Sequence, residues 1–89
     1  MTAKATGTAT VRVRLFARYA ELVGQAEAAV SVTLPATVGD VVRRLRDEVP
    51  AAGALPERPL VAVNLRQVKL DAPVEDGDEV ALLPPIAGG

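Results

Sequence analysis

The segment Thr37-Val38-Gly39-Asp40-Val41-Val42-Arg43-Arg44-Leu45-Arg46-Asp47-Glu48-Val49 carries the clearest helical periodicity in the chain. Thr37 can accept hydrogen bonds from the free amides of a first turn, and Asp40 follows three residues on, so the pair resembles a capping box. Val38, Val41, Val42, Leu45 and Val49 fall at i, i+3, i+4, i+7 and i+11, one continuous apolar stripe, while Arg43, Arg44 and Arg46 point away from it. Pro50 cannot continue the helix, and the following stretch to Pro59, with Gly53 and Pro56, reads as a loop.

Towards the N-terminus, Val30, Val32 and Leu34 alternate with Ser31 and Thr33 and predict a strand that Pro35 ends. Ala17 to Val23 favours a short helix closed by Gly24, where a left-handed residue ends the last turn. Val11-Arg12-Val13-Arg14-Leu15 alternates apolar and basic residues, a half-buried strand expected to pair antiparallel with the one at Val30. Residues 1–10 show no periodicity and read as a flexible leader, with order expected from Val11.

Towards the C-terminus, Leu60-Val61-Ala62-Val63 is a short apolar run of the kind buried on both sheet faces, and Asn64 suits the turn into Gln67-Val68-Lys69-Leu70. Asp76-Gly77-Asp78 predicts a tight turn, because glycine tolerates positive φ. Glu79 to Leu83 is the last strand, stopped by Pro84-Pro85. The fold class expected is α+β: a mixed sheet of about five strands crossed by one main helix, plus a short helix, in a β-grasp with the first and last strands side by side at its centre. The domain spans 11–83, and residues 84–89 are expected to form an extended, flexible tail.

With 89 residues, one hydrophobic core is the limit. One Phe, one Tyr and no Trp leave that core to Val, Leu and Ala. The absence of Cys and His removes disulfides, thiolate and imidazole metal ligands, Cys nucleophiles and His general bases, so no metal site is expected. A net charge of −1 offers no field for nucleic acid or anionic membrane. No stretch approaches a membrane span or a signal peptide, and the default location is cytoplasmic. Arg12, Arg14, Arg18 and the arginines of the helix, like the acidic run Asp71, Glu75, Asp76, Asp78 and Glu79, read as solvated faces. The acidic spacing does not match a calcium loop.

The C-terminus is where unusual residues sit together. Pro84-Pro85 stiffens the base of the tail in an extended form, and from Leu83 to Gly89 it can reach about 20 Å. Gly88-Gly89 forms a thin tip with no Cβ to obstruct a narrow channel or to crowd attack on the terminal carbonyl. Ile86 and Ala87 complete a segment suited to insertion into another protein. In an otherwise chemically silent domain, the terminal carboxylate is the leading candidate site.

The blocks Leu15-Phe16-Ala17-Arg18, Glu21-Leu22-Val23-Gly24, Val61-Ala62-Val63-Asn64, Asp76-Gly77-Asp78-Glu79-Val80-Ala81 and Pro84-Pro85-Ile86-Ala87-Gly88-Gly89 resemble the ubiquitin-like sulfur carriers of the MoaD/ThiS family. The resemblance runs from about Val11 to Gly89 and is most marked toward carriers that serve as the small subunit of molybdopterin synthase. It implies that an ATP-dependent activating enzyme adenylates Gly89, that a sulfur donor protein converts it to a thiocarboxylate, and that the tail then enters the large catalytic subunit. There it donates sulfur to cyclic pyranopterin monophosphate, in molybdenum cofactor biosynthesis. The carrier itself binds no permanent cofactor and does no acid–base chemistry. By position, Gly89 bears the sulfur, Gly88 gives clearance, Pro84, Pro85, Ile86 and Ala87 insert, and Phe16, Leu82 and Leu83 dock the partner. Carriers for thiamine, cysteine or tRNA thiolation, and ubiquitin-like protein modifiers, share the diglycine and stand as alternatives.

Overall fold

The computed structural model describes residues 7–84. The chain runs β1 (Gly7–Leu15), α1 (Arg18–Val23), β2 (Glu27–Leu34), β3 (Ala36–Thr37), α2 (Val38–Glu48), a 3₁₀ turn (Pro50–Ala54), β4 (Leu60–Val63), β5 (Arg66–Val68), β6 (Pro73–Val74) and β7 (Glu79–Leu83). Five strands form one sheet in the order β2-β1-β7-β4-β5, and β3 pairs with β6 in a separate two-stranded ribbon. β1 and β7 are parallel at the centre, with Val13 opposite Val80 and Leu15 opposite Leu82, while β2 runs antiparallel to β1. The expected β-grasp, with first and last strands adjacent, is what the chain adopts.

Alternation along the strands produces the two faces. Val11, Val13, Leu15, Val30, Val61, Val80 and Leu82 point inward and are almost wholly buried. They meet Val38, Val41, Val42 and Leu45 of α2, so the helical stripe packs across the sheet as its spacing predicts. The core is aliphatic, with Tyr19 as its one buried aromatic among the described residues.

Helix α2 starts where the capping box places it. The Asp40 amide donates to Thr37 Oγ1 at 3.2 Å, and the Thr37 amide donates to Asp40 Oδ2 at 2.9 Å. Two further free amides of the first turn reach the loop before β6: Val38 N donates to Ala72 O at 2.9 Å and Gly39 N to Leu70 O at 2.8 Å. A Cβ on Gly39 would lie 3.3 Å from that Leu70 oxygen, so the glycine permits a close approach of helix and loop.

Asp40 is held below its usual pKa, first by the Thr37 amide, with the Thr37 hydroxyl and Arg43 assisting and burial opposing. A lowered folded-state pKa contributes stability above the unfolded value of about 3.9, and that contribution is lost as pH falls through the folded value. Asp40→Asn is therefore expected to cost about 1 kcal/mol near neutral pH and to reduce the loss of stability on acidification below about pH 4, checked by urea midpoints across that range.

Four expectations are corrected. Strand β1 already includes Gly7 to Thr10, ahead of the expected start at Val11, because residues 7–14 all find partners on β2, from Gly7↔Leu34 to Arg14↔Glu27. Residues 1–6 of the expected leader lie outside the described residues. The stretch after Pro50 is not plain loop: its 3₁₀ turn and the residue after it bury Ala52 and Leu55 in the core. β5 covers Arg66–Val68 instead of 67–70, since Lys69 enters a turn closed by the Ala72 amide and Leu70 O accepts from the Gly39 amide of α2. In β4 only Val61 and Ala62 are covered on both faces, whereas Leu60 is 43% exposed.

Candidate functional site

Because β1 and β7 are parallel, both end at the same pole of the sheet, and β4, antiparallel to β7, begins there. Leu60 is the register partner of Leu83, and Phe16 follows Leu15, whose partner is Leu82. The last described residue, Pro84, is half-buried directly beyond Leu83. The chain thus leaves β7 beside three large apolar side chains on the sheet face turned away from α2, with Phe16 38% exposed and Leu60 43%. Ala62 and Ala81, also register partners, extend this patch between the longer side chains; both are buried, yet neither belongs to the core cluster beneath α2. Leu22 of α1, 44% exposed, lies on the connection at the same pole.

Local backbone chemistry positions Phe16. The Tyr19 amide donates to Phe16 O at 2.9 Å, closing a turn in which Ala17 takes φ 49° and ψ −122°. That region suits glycine, and an alanine there stores strain of order 1 kcal/mol, held by the strand before it and the helix after it. Arg14, two residues back on the same strand face, lays its guanidinium over the Phe16 ring at 5.2 Å. Glu79 of β7 at 3.4 Å and Glu27 of β2 at 3.7 Å pair with that guanidinium from the two strands flanking β1. Arg14, read from the sequence as solvated, thus orients an aromatic ring at the edge of the patch.

Of the residues the sequence singled out, Phe16, Leu83 and Pro84 meet at this pole. Leu82 does not belong with them. Its side chain is 0% exposed, between Leu15 and Val61, because neighbouring residues of a strand face opposite ways; it is core, and its expected docking role is corrected. Pro85, Ile86, Ala87, Gly88 and Gly89 lie outside the described residues. Leu60 is the residue that sequence reasoning missed, since a continuous apolar run does not reveal which member faces out.

Among the described residues there is no buried polar or charged side chain and no group of three or more acidic side chains placed to hold a metal ion. No described helix is long and apolar enough to cross a membrane. Two members of the acidic run are structural: Asp76 Oδ1 accepts from the Thr10 amide at 2.7 Å, which ties the β6–β7 turn to β1, and Asp78 Oδ2 accepts from the Glu75 amide at 2.7 Å within that turn. What the described part offers is a partly exposed apolar patch beside Leu83 and Pro84.

Comparison with known proteins places this geometry. The model of the ThiS family matches residues 13–89. The molybdopterin synthase sulfur carrier subunit of Escherichia coli is 39% identical over 85 residues, covering 89% of this chain and 99% of that protein. Small archaeal modifier protein 3 of Haloferax volcanii is 42% identical over 90 residues, covering 89% of this chain and 98% of its own. The crystal structure of SAMP1 from Haloferax volcanii superposes with a TM-score of 0.76 at 34% identity, covering 90% of this chain and 99% of that one.

Proposed function

The chain belongs to the ThiS family of small ubiquitin-like sulfur carriers, and from that premise we propose that it is the sulfur-carrying, non-catalytic subunit of a cytoplasmic molybdopterin synthase. The carrier role itself follows from the family; the pathway, the chemistry at Gly89 and the partners are the proposal. The observation that carries it is the placement of the β7 terminus, with Leu83 and Pro84 leading from an exposed Phe16–Leu60–Leu83 patch into Pro-Ile-Ala-Gly-Gly. Support comes also from the Escherichia coli carrier subunit, matched over almost its whole length.

A Gly89 carboxylate, like α-carboxyl groups in general, is ionised at neutral pH and unreactive toward nucleophiles. An activating enzyme attaches it to the α-phosphorus of ATP, releasing pyrophosphate and leaving an acyl adenylate. The terminal sulfur of a donor-protein persulfide attacks the acyl carbon and AMP leaves, and a thiol reductant then cleaves the S–S bond to the donor, supplying the two electrons that leave a thiocarboxylate on Gly89 and a thiol on the donor. In the large synthase subunit the thiocarboxylate sulfur forms a C–S bond to cyclic pyranopterin monophosphate, and water cleaves the acyl C–S bond, supplying the oxygen that regenerates the carboxylate. The domain contributes a docking surface and an unhindered acyl end, and the patch around Leu60 and Leu83 serves both enzymes in turn.

A second reading is favoured by the Haloferax volcanii relative, a protein named as a modifier: the same activated Gly89 would form an isopeptide with lysine. One experiment separates the two. The chain is incubated with an adenylating enzyme, ATP and a sulfur donor, and its intact mass is followed. Exchange of one oxygen for sulfur, followed by molybdopterin formation on adding the large synthase subunit and cyclic pyranopterin monophosphate, is the expected result. Absence of the exchange overturns the carrier chemistry, and lysine adducts without molybdopterin formation select the modifier.

A further inference from the structure

β4 turns into β5 through Asn64 and Leu65, flanked by the register pair Val63↔Arg66. Both loop residues are left-handed, at φ 50° and 73°. A two-residue hairpin of this kind needs positive φ at both central positions, and Asn followed by Gly is the preferred pair. Asn64 fits the requirement and is clamped: its Nδ2 donates to Asp78 Oδ1 at 2.9 Å, its Oδ1 accepts from the Glu79 amide at 3.0 Å, and its own amide donates to Glu79 O at 2.8 Å. Leu65 stands where glycine is preferred, at a cost of about 1 kcal/mol, and at 89% exposure it regains nothing by burial. The fold does not account for this leucine.

Beside it lies a hollow of about 380 Å³, lined by Val63, Val68, Ala72 and Pro73 with Asn64 and Arg66 also on its wall. Arg66 is exposed on one flank, and Glu75 and Asp76 are exposed on the turn that Asn64 grips. Among the described residues none of these three charges is in an ion pair. One small surface therefore holds an apolar projection, a shallow recess of mixed lining floored by Val63, Val68 and Ala72, and charges of both signs outside any ion pair among the described residues.

A surface that carries both halves of its own complement is matched by a copy of itself across a two-fold axis, where residue i meets j and j meets i. We infer that this hairpin is a self-association site, at which Leu65 of each copy enters the recess of the other and Arg66 of each faces Glu75 and Asp76 of the other. The contact is confined to one hairpin and one recess per copy, so the dimer is expected to be transient and to form as the concentration approaches about 1 mM. The hairpin adjoins the start of β7, at Glu79, and therefore lies at the opposite pole from Leu83 and Pro84. Association there leaves Leu83 and Pro84 of both copies uncovered, independently of the proposed sulfur transfer.

The test is sedimentation of the full chain from roughly 10 µM to 1 mM, with amide shifts followed on dilution. The mass is expected to rise toward that of a dimer, and the shifts that move are those of Val63, Val68 and Ala72. Leu65→Gly is expected to weaken association at least about tenfold while raising the thermal midpoint, because it removes strain and anchor together. Arg66→Glu weakens association by like-charge contact, and adding Glu75→Arg restores it. A chain that remains monomeric at about 1 mM, or a Leu65→Gly variant that associates as before, overturns the inference.

Discussion

Deleting Gly88 and Gly89 is expected to abolish sulfur loading while leaving the thermal midpoint unchanged. The core cluster runs from Ala9 to Leu82, so the truncation removes none of its members. It does remove the acyl group that the adenylating enzyme acts on and withdraws the new terminus by about 7 Å, at roughly 3.3 Å per residue. It also leaves Ala87, with a Cβ, at the tip. A displacement of even about 1 Å from a productive geometry can cost on the order of 100-fold, so a retreat of this size should bring loading below detection. Intact mass after incubation with ATP and sulfur donor reads the first half of the expectation, and a melting curve reads the second. Undiminished sulfur exchange in the truncated chain would remove the terminus from the mechanism.

Leu82→Ala and Leu83→Ala are expected to behave oppositely, although the residues are adjacent. Leu82 is 0% exposed on the central strand, flanked by Leu15 and Val61. Its truncation leaves a cavity in a close-packed core and should cost about 3 kcal/mol, lowering the midpoint by roughly 12 to 24 °C. Leu83 is half-buried on the outer face opposite Leu60, so its truncation should cost at most about 1 kcal/mol of stability. Its main effect should be weaker binding to the large synthase subunit, as for an anchor at the centre of an interface. Calorimetry and titration of the two variants check both halves. Equal melting losses would contradict the assignment of the two faces.

Where local rules and tertiary packing agree, the fold was legible. Thr37 and Asp40 form the expected reciprocal cap, and the five-membered apolar stripe places four of its members in full burial and Val49 at the core's edge. Gly24 and Gly77 both take φ 87°, at the helix end and the turn where positive φ was required. Asn64 opens the β4–β5 turn as its side chain suggests. Each of these signals lies within a few residues of chain.

The misses have the opposite character. Ribbon β3–β6 has two residues on each strand, too few to show any period, and exists because Ala36 meets Val74 across the fold. Thr8 and Thr10 carry no apolar alternation that marks a buried strand, but β2 offers them Thr33 and Ser31 as partners. Asp76 and Asp78, which look like solvated charge, accept amide hydrogen bonds in the turn before β7. Gly39 looks isolated in sequence, and only the approach of Leu70 explains it.

The candidate site divides in the same way. Pattern, capping and turn chemistry act through neighbouring residues, so the sequence alone was enough to specify the main helix, the alternating strands, the aliphatic core and a diglycine end following Pro-Pro. The tertiary structure alone decided which side of β7 faces out. It buried Leu82, brought Leu60 to Leu83 from 23 positions away, and drew Glu79, 65 positions away, onto the Arg14 that covers Phe16. Strand register links such distant residues through backbone hydrogen bonds between strands, and no short window of sequence contains both partners.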